Sequence, residues 1–288
     1  MDFTLTADLL SAVTRLPKSQ RDKVMGVIGE AEFQKCSEDP VYWLDSSQHV
    51  ATRKWPGGMP YVFTKDPHKI YNCALCTMEV NEEKRGDHLE LLHGEEHPSL
   101  HRMREVFTLL PAIRPFPMFE FIKPIVSSWL TSQYFAMEKS RDMSATWTLI
   151  ALHTWDAMFH NGRQEILQSE DAFKTLELVQ RANVIYENTP QFLRVAIGPA
   201  NYSKGTTKSG ELYFTKQQSE ILGLPQGADQ IRQFHPSSIF ADEAAFQQEA
   251  GATFAAIKPA IMSGGRYSAI SSANRSWFER VCRDLTDD

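Results

Sequence analysis

The stretch that decides the fold spans residues 134–159 and reads YFAMEKSRDMSATWTLIALHTWDAMF. It begins with a short apolar run, Tyr134 to Met137, and ends with an apolar segment of helical length, Trp147 to Phe159. The polar residues between them lie where a strand turns into a helix. Backbone N–H groups in such a turn, together with the amino end of the helix, can bind phosphate. The sequence therefore predicts a strand, a candidate phosphate loop and a helix.

The loop is a poor match to the P-loop pattern G-x-x-x-x-G-K-[ST]. Lys139 stands at the first glycine, Ser144 at the second and Ala145 at the lysine. Thr146 alone matches, at the position of the hydroxyl that binds Mg²⁺. On these residues alone, an ordinary turn between a strand and a helix is the better interpretation.

Further along the chain, short apolar runs alternate with helical patterns. A longer helix is predicted from Asp171 to Asn188. Strands that alternate with helices favour an α/β fold with a mostly parallel sheet. Further strands are predicted at Leu193–Ile197, Leu212–Phe214, Ser238–Phe240 and Tyr267–Ile270.

A second motif is the sequence SIFADE from Ser238 to Glu243, a short apolar strand that ends in two carboxylates. This is the form of a Walker B motif. Asp242 would hold the hydrated Mg²⁺, and Glu243 would polarise the attacking water. The alternative is an ordinary strand end whose acids precede the next helix. The position of the pair downstream of Thr146, within an alternating α/β pattern, favours the Walker B interpretation.

A third motif has metal-ligand spacing, Cys73-x2-Cys76-x11-His88-x4-His93. Zinc prefers four N/S ligands at tetrahedral corners, and two histidines on adjacent turns of a helix can reach one such point. Leu89, Leu91 and Leu92 would pack this helix, and Gly94 would end it. Four protein ligands leave no open position, so the spacing indicates a structural zinc site that resembles a C2H2 finger.

Alternatives to this ligand set stay open. His97 or, less readily, His101 could replace one of the paired histidines. The segment could also be a solvated acidic helix that happens to carry histidines. Sequence-specific DNA reading is not implied, because Asp87 and Glu90 would repel phosphate.

Composition excludes several classes of protein. The 288 residues include 30 basic and 36 acidic side chains, a net charge of −6, so any DNA contact must come from a local patch. A hydrophobic content of 42% with 23% charged residues excludes a disordered chain. Neither a membrane-spanning run nor a signal peptide is evident, which predicts a cytoplasmic protein without a membrane partner.

The organisation expected from these patterns has two parts. Residues 1–110 form a helical region with a zinc knuckle at about 71–101, and residues 111–288 form the α/β core. The proline-rich stretch from Pro111 to Pro117 is interpreted as the linker between them.

The stretch EKSRDMSATW, residues 138–147, resembles the deviant Walker A motif of phage terminase large subunits. In that family the cation that binds phosphate moves to the start of the loop, where Lys139 and Arg141 stand here. Ser144 departs from the family, which usually has glycine at that position. The resemblance implies that the nucleotide contacts Lys139, Ser140, Arg141, Asp142, Met143, Ser144, Ala145 and Thr146.

The stretch from Gly264 to Asn274, GGRYSAISSAN, resembles the coupling motif of the same family. The resemblance implies that Ser271, Ser272 and Asn274 contact the nucleotide and sense its γ-phosphate. The resemblance to terminases covers roughly residues 38–72 and 111–288. From it we expect that the family's C-terminal nuclease domain is absent.

The fold implied by the resemblance is a P-loop NTPase of the ASCE/RecA-like type, with a mostly parallel sheet flanked by helices and a small helical, zinc-knuckle region before it. The implied activity is ATP hydrolysis with Mg²⁺ to drive double-stranded DNA into a procapsid, in the host cytoplasm. Implied partners are the terminase small subunit, the portal protein and further copies of this chain. The alternative is a degenerate, non-catalytic nucleic-acid or assembly module that keeps the ATPase fold and the zinc.

Overall fold

The computed structural model describes residues 5–49, 57–65, 70–96, 98–109, 111–140, 143–204 and 210–284. Its α-helices are α1 (Ala7–Thr14), α2 (Lys18–Glu38), α3 (Pro40–Leu44), α4 (Arg85–His93), α5 (Leu100–Val106), α6 (Ile122–Thr131), α7 (Ala145–Phe159), α8 (Ala172–Asn188), α9 (Gln191–Ile197), α10 (Ala228–Ile231), α11 (Ala250–Met262) and α12 (Trp277–Asp284). Its strands are β1 (Phe63–Lys65), β2 (Ile70–Cys73), β3 (Glu79–Asn81), β4 (Phe107–Leu109), β5 (Ile113–Pro115), β6 (Tyr134–Glu138), β7 (Gln164–Ser169), β8 (Ala200–Ser203), β9 (Glu211–Phe214), β10 (Ser219–Pro225), β11 (Ser238–Asp242) and β12 (Arg266–Ser271). Short 3₁₀ helices span Ser46–Gln48, Glu82–Lys84 and Ala244–Phe246.

The chain divides into two compact units, one of residues 63–115 and one of residues 1–62 with 116–288. This division differs from the expected one between residues 110 and 111, because the amino-terminal helices pack against the helices of the α/β core. The indole N–H of Trp155 on α7 donates to the carbonyl of Cys36 on α2 at 2.6 Å. The rings of Phe33 and Phe159 lie 5.1 Å apart.

A seven-stranded sheet forms the centre of the larger unit, in the order β6-β12-β11-β7-β10-β9-β8. The first five strands in this order are parallel, and β9 and β8 extend the sheet antiparallel. The predicted mostly parallel sheet is therefore confirmed. Parallel strands end at the same edge of a sheet, so the carboxyl ends of β6, β11 and β12 lie side by side.

Helices cover both faces of this sheet. Phe240 on β11 packs in one core cluster with Leu149 of α7, whereas its neighbours Ile239 and Ala241 pack in a second cluster with Ile257 of α11. Strands buried on both faces carry continuous apolar runs, as β11 does. None of the described helices is both long enough and apolar enough to span a membrane.

The expected strand at Leu193–Ile197 is wrong, because these residues belong to α9. Phe192, Leu193, Ala196 and Ile197 are all buried, and this spacing fits one face of a helix. The helix α9 packs closely on α2, where a Cβ at Gly29 would lie 2.1 Å from the carbonyl oxygen of Phe192.

The smaller unit, residues 63–115, contains a three-stranded antiparallel sheet in the order β3-β2-β4 and the pair β1-β5. The strand β5 lies within the stretch from Pro111 to Pro117 that was interpreted as a linker. Its residues Ile113 to Pro115 pair with β1, so this part of the stretch is a strand.

Candidate functional site

The loop between β6 and α7 lies at the carboxyl edge of the parallel sheet. The backbone N–H of Lys139 donates to the carbonyl of Ser271 at 2.9 Å, which extends the pairing of β6 with β12 by one residue. Ser140 is exposed, and Arg141 and Asp142 lie outside the described residues. The loop therefore begins directly beside the end of β12.

The end of the loop forms the start of α7. Met143 is half-buried, and Ala145 is buried as the first residue of the helix. Ser144 adopts the left-handed conformation, with φ 51° and ψ 14°, and its side chain makes no capping hydrogen bond within the described structure. Positive φ favours glycine, so the backbone at Ser144 has the shape for which glycine is suited. The first N–H groups of α7 are oriented toward the loop, as at other helix amino ends.

Asp242 ends β11 close to this loop. One of its carboxylate oxygens accepts a hydrogen bond from the hydroxyl of Thr146 at 3.1 Å. The residue is 8% exposed, and burial, followed by the charge of Glu243, raises the pKa of Asp242 to about 6. A buried carboxylate beside a hydroxyl is the type of group that a divalent cation stabilises in its ionised form.

Glu243 follows Asp242 in the left-handed conformation, with φ 50° and ψ 44°. Its carboxylate accepts hydrogen bonds from the ammonium of Lys139 at 2.7 Å, the hydroxyl of Ser271 at 3.2 Å and the N–H of Ser272 at 3.2 Å. Burial raises the pKa of Glu243, but these donors outweigh it and the net pKa is below the ordinary value. The carboxylate is therefore ionised and held by three donors.

These contacts join the three sequence motifs in one cluster. Lys139 comes from the loop and Thr146 from the first turn of α7. Asp242 and Glu243 come from the end of β11, and Ser271 and Ser272 from the end of β12. Asn274 joins the cluster less directly, because its amide donates to the carbonyl of Ala245 at 3.2 Å. A cation, a hydroxyl and two carboxylates at the carboxyl edge of a parallel sheet form a polar site of the kind that binds a phosphate and its metal ion.

Two residues near this cluster were missed by the sequence analysis. The side-chain amide of Gln247 donates to the backbone carbonyl of Asp242 at 2.8 Å. The guanidinium of Arg181 on α8 lies 5.4 Å from the ring centre of Trp147, and its charge offsets a small part of the rise in the pKa of Asp242 that burial and Glu243 cause. Neither residue belongs to one of the three motifs. Arg181 is brought near the site by α8, whereas Gln247 lies five residues after Asp242 and turns back to its carbonyl.

The smaller unit brings together the four predicted metal ligands. The ligand atoms of Cys73, Cys76, His88 and His93 all lie within 4.8 Å of one another. Cys73 ends β2, and both histidines lie on α4, which Gly94 ends in the left-handed conformation. Burial, followed by the charge of His93, lowers the pKa of His88 and favours the neutral imidazole that binds metal.

The distances in this cluster fit a zinc ion. The Nε2 atoms of His88 and His93 are 3.3 Å apart, Cys76 Sγ lies 3.3 Å from His88 Nε2, and Cys73 Sγ lies 3.7 Å from His93 Nε2. Tetrahedral zinc with bonds of about 2.0 Å to nitrogen and about 2.3 Å to sulfur separates two nitrogens by roughly 3.3 Å and a nitrogen from a sulfur by roughly 3.5 Å. The donor set and its spacing therefore suit Zn²⁺.

The alternative ligands do not join this cluster in the described structure. His101 lies on α5 and is exposed, with its Nδ1 3.4 Å from a carboxylate oxygen of Glu105. His97 lies outside the described residues. The expected packing of α4 is correct only for Leu89, which is fully buried, because Leu91 and Leu92 are 83% and 58% exposed.

No family model matches this chain, and no curated protein matches it. The solved structures to which it is similar include the ATPase domain of the large terminase of Thermus phage P74-26 and the large terminase of bacteriophage HK97. For a variant of the Thermus phage domain, the TM-score is 0.46 and the identity 14%, over 64% of this chain and 73% of that chain. The unmodified domain gives a TM-score of 0.44 at 13% identity over the same shares. For the HK97 protein, the TM-score is 0.47 and the identity 11%, over 60% of this chain and 37% of that chain.

Proposed function

We propose that this chain is the ATPase of a viral DNA-packaging motor, a terminase large subunit, which hydrolyses ATP with Mg²⁺ to move double-stranded DNA into a procapsid. The observation that carries the proposal is the hydrogen-bonded cluster of Lys139, Thr146, Asp242, Glu243 and Ser271. Its members come from the three motifs whose order along the chain resembles that of terminases. The strand order, with β12 between β6 and β11, and the carboxylate of Glu243 support a P-loop fold of the ASCE type.

Nucleotide binding is assigned to the loop and to Asp242. Lys139 binds phosphate oxygens as a point charge, and the N–H groups at the start of α7 add backbone donors. The hydroxyl of Thr146 and the carboxylate of Asp242 hold the hydrated Mg²⁺, which neutralises charge on the phosphates when bound. In this role Lys139 exchanges its contact with Glu243 for the phosphate, which carries more negative charge than one carboxylate.

Glu243 is the proposed general base. When Lys139 turns to the phosphate, the Glu243 carboxylate gains an open acceptor position and keeps its bonds to Ser271 and Ser272. It then orients a water for attack on the terminal phosphorus and accepts a proton from it, while ADP departs. Its lowered pKa keeps it ionised, and therefore able to accept a proton, at neutral pH.

Coupling of hydrolysis to movement is assigned to the end of β12. The hydroxyl of Ser271 and the N–H of Ser272 donate to the carboxylate of Glu243. The side-chain amide of Asn274 donates to the carbonyl of Ala245, two residues after Glu243. Loss of the terminal phosphate therefore affects β12 through one residue, Glu243, which is hydrogen-bonded to the end of that strand. The small subunit, the portal protein and neighbouring copies of this chain are the proposed partners, with an arginine from a neighbour completing the site.

A second candidate function is a non-catalytic assembly module that keeps the ATPase fold. Ser144 favours this candidate, because a serine at φ 51° is strained where glycine would not be. The contacts of Asp242 and Glu243 favour the enzyme, since both carboxylates retain partners in the other motifs.

Hydrolysis of ATP by the purified chain, with and without linear double-stranded DNA, tests the proposal. We expect Mg²⁺-dependent release of phosphate that DNA increases several-fold and that EDTA abolishes. Phosphate release at a rate that DNA does not change would contradict the packaging role but would still show an ATPase. Absence of Mg²⁺-dependent release in the presence of DNA would favour the non-catalytic module.

A further inference from the structure

A second polar cleft lies at the opposite edge of the sheet, where β7, β11 and β12 begin. It consists of two adjoining cavities of about 490 and 180 Å³, which share Arg163, Ser237 and Gly264. Strands of five or six residues, at about 3.3 Å per residue, separate this cleft from Lys139 and Glu243. A ligand bound here would therefore not touch a nucleotide at the carboxyl edge.

Two arginines line the smaller cavity, and each is held in place by a neighbour. Arg266 lies 3.9 Å over the ring of Trp129 and donates to the carbonyl of Leu130 at 3.4 Å. Arg163 places its Nε 3.2 Å from a carboxylate oxygen of Asp156, close enough for an ion pair but not aligned for a hydrogen bond. The buried Nε atoms of both arginines lack a hydrogen-bond acceptor in the described structure.

The positive charge of this cluster exceeds its negative charge. Asp156 is the one carboxylate among the residues that line the two cavities, and it already contacts His160 at 3.0 Å as well as Arg163. Burial raises the pKa of Asp156, but His160 and Arg163 outweigh it and keep the carboxylate ionised. Two guanidinium groups therefore face one carboxylate in this cluster.

The nearest buried carboxyl group does not cancel this excess. Glu165 is fully buried beside His153, with 2.6 Å between Oε2 and Nδ1. Burial, followed by the charge of Asp156, raises the pKa of Glu165 well above its ordinary value. Burial, followed by the charge of Arg266, lowers the pKa of His153 to about 3. Both shifts favour the uncharged forms, so this buried pair does not act as a second fixed negative charge beside the arginines.

We propose that this cleft binds a phosphate group between Arg163 and Arg266. Arg163 directly precedes β7 and Arg266 begins β12, on either side of β11, and two guanidinium forks suit a tetrahedral oxyanion. Ser237 and Ser263 add hydroxyls to the lining. A cavity of 180 Å³ exceeds several-fold the roughly 30 Å³ that one water occupies in the liquid. Either free inorganic phosphate or the backbone of a nucleic acid supplies this chemistry, because the side chain of Arg163 is 42% exposed at the mouth of the cleft.

The test compares Arg163→Gln and Arg266→Gln with Arg15→Gln, a control at an exposed arginine after α1. Calorimetry with sodium phosphate and fluorescence polarisation with a labelled 20-base-pair duplex, titrated with NaCl, separate the two sources. If free phosphate is the ligand, each cleft variant weakens its binding at least tenfold. If the DNA backbone is the ligand, each cleft variant weakens duplex binding and reduces the salt slope by about one.

Binding of neither probe by the wild-type chain would overturn the proposal. So would cleft variants whose affinities for both probes stay within twofold of the control. Arg266→Gln removes a buried stacking contact, so Arg163→Gln decides if the Arg266 variant does not fold. Binding of Mg·ATP, measured on the same proteins, stays unchanged, which separates this cleft from the proposed ATPase site.

Discussion

Glu243→Gln is expected to reduce ATP turnover at least about 100-fold, because a positioned general base contributes roughly 10²–10⁴ to rate. Glutamine has the same shape, and its one carbonyl oxygen keeps the hydrogen bonds from Ser271 and Ser272, while its amide nitrogen replaces the oxygen that accepts from Lys139. It cannot take a proton from water. Affinity for Mg·ATP should therefore stay within about threefold of the wild type, or rise, since Lys139 loses its competing ion pair.

The matched control for this variant is Glu249→Gln, which neutralises an exposed glutamate just before α11. Steady-state phosphate release and equilibrium nucleotide binding are measured on all three proteins. The control should match the wild type in both. Turnover of Glu243→Gln within threefold of the wild type would remove Glu243 from the chemistry.

Loss of zinc is expected to unfold the smaller unit. Structural zinc contributes about 10–16 kcal/mol of apparent binding free energy in zinc-finger peptides, and a unit of this size has a small core of its own. Here that core is the cluster of Cys73, Val80, Leu89, Val106 and Phe107. Cys73→Ser should reduce bound zinc from one ion per chain to none and remove hydrogen-exchange protection from residues 70–109.

Cys282→Ser is the control, because Cys282 is a free cysteine on α12, outside the metal cluster. Elemental analysis gives the zinc content, and hydrogen exchange read by mass spectrometry gives the protection of each segment. The control should retain one zinc and full protection. A Cys73→Ser protein that still binds one zinc, or that keeps its protection, would show that this cluster does not hold a structural metal.

The sequence predicts the elements that carry the candidate nucleotide site because their patterns are local. β11 and β12 lie inside the sheet, where buried strands carry continuous apolar residues, and the apolar run of β6 forms the edge strand beside β12. The polar residues directly after them are then brought together by the parallel arrangement. Motif order and strand type therefore predict that these residues lie at one edge of the sheet, and their binding of a nucleotide stays a prediction.

The central strand β7 shows where this reasoning fails. Its sequence is QEILQS, yet Glu165, Gln168 and Ser169 are all buried. The side-chain amide of Gln168 donates to the carbonyl of Pro225, far along the chain, and Glu165 contacts His153 on α7. A strand whose polar residues are satisfied only by tertiary contacts gives no apolar pattern, and the sequence predicts none here.

The same limit applies to the phosphate cleft and to α9. Arg163 and Arg266 are separated by about a hundred residues, and only the parallel pairing of β7, β11 and β12 places them at one edge. In α9 the short apolar run fits either period, and its packing on Gly29 of α2 selects the helix. The local sequence pattern could not decide between helix and strand for α9, and it could not show that the two arginines lie close together.

Calorimetric titration of the wild-type chain with Mg·ATP tests the central claim most directly, namely that the loop and the end of β11 form one nucleotide site. We predict one Mg·ATP bound per chain, and at least tenfold weaker binding by Lys139→Ala, because a hydrogen bond to a charged group contributes about 1.5–3 kcal/mol. Lys258→Ala, at an exposed lysine on α11, should bind as the wild type does. No binding by the wild type, or equal binding by Lys139→Ala, would contradict the account.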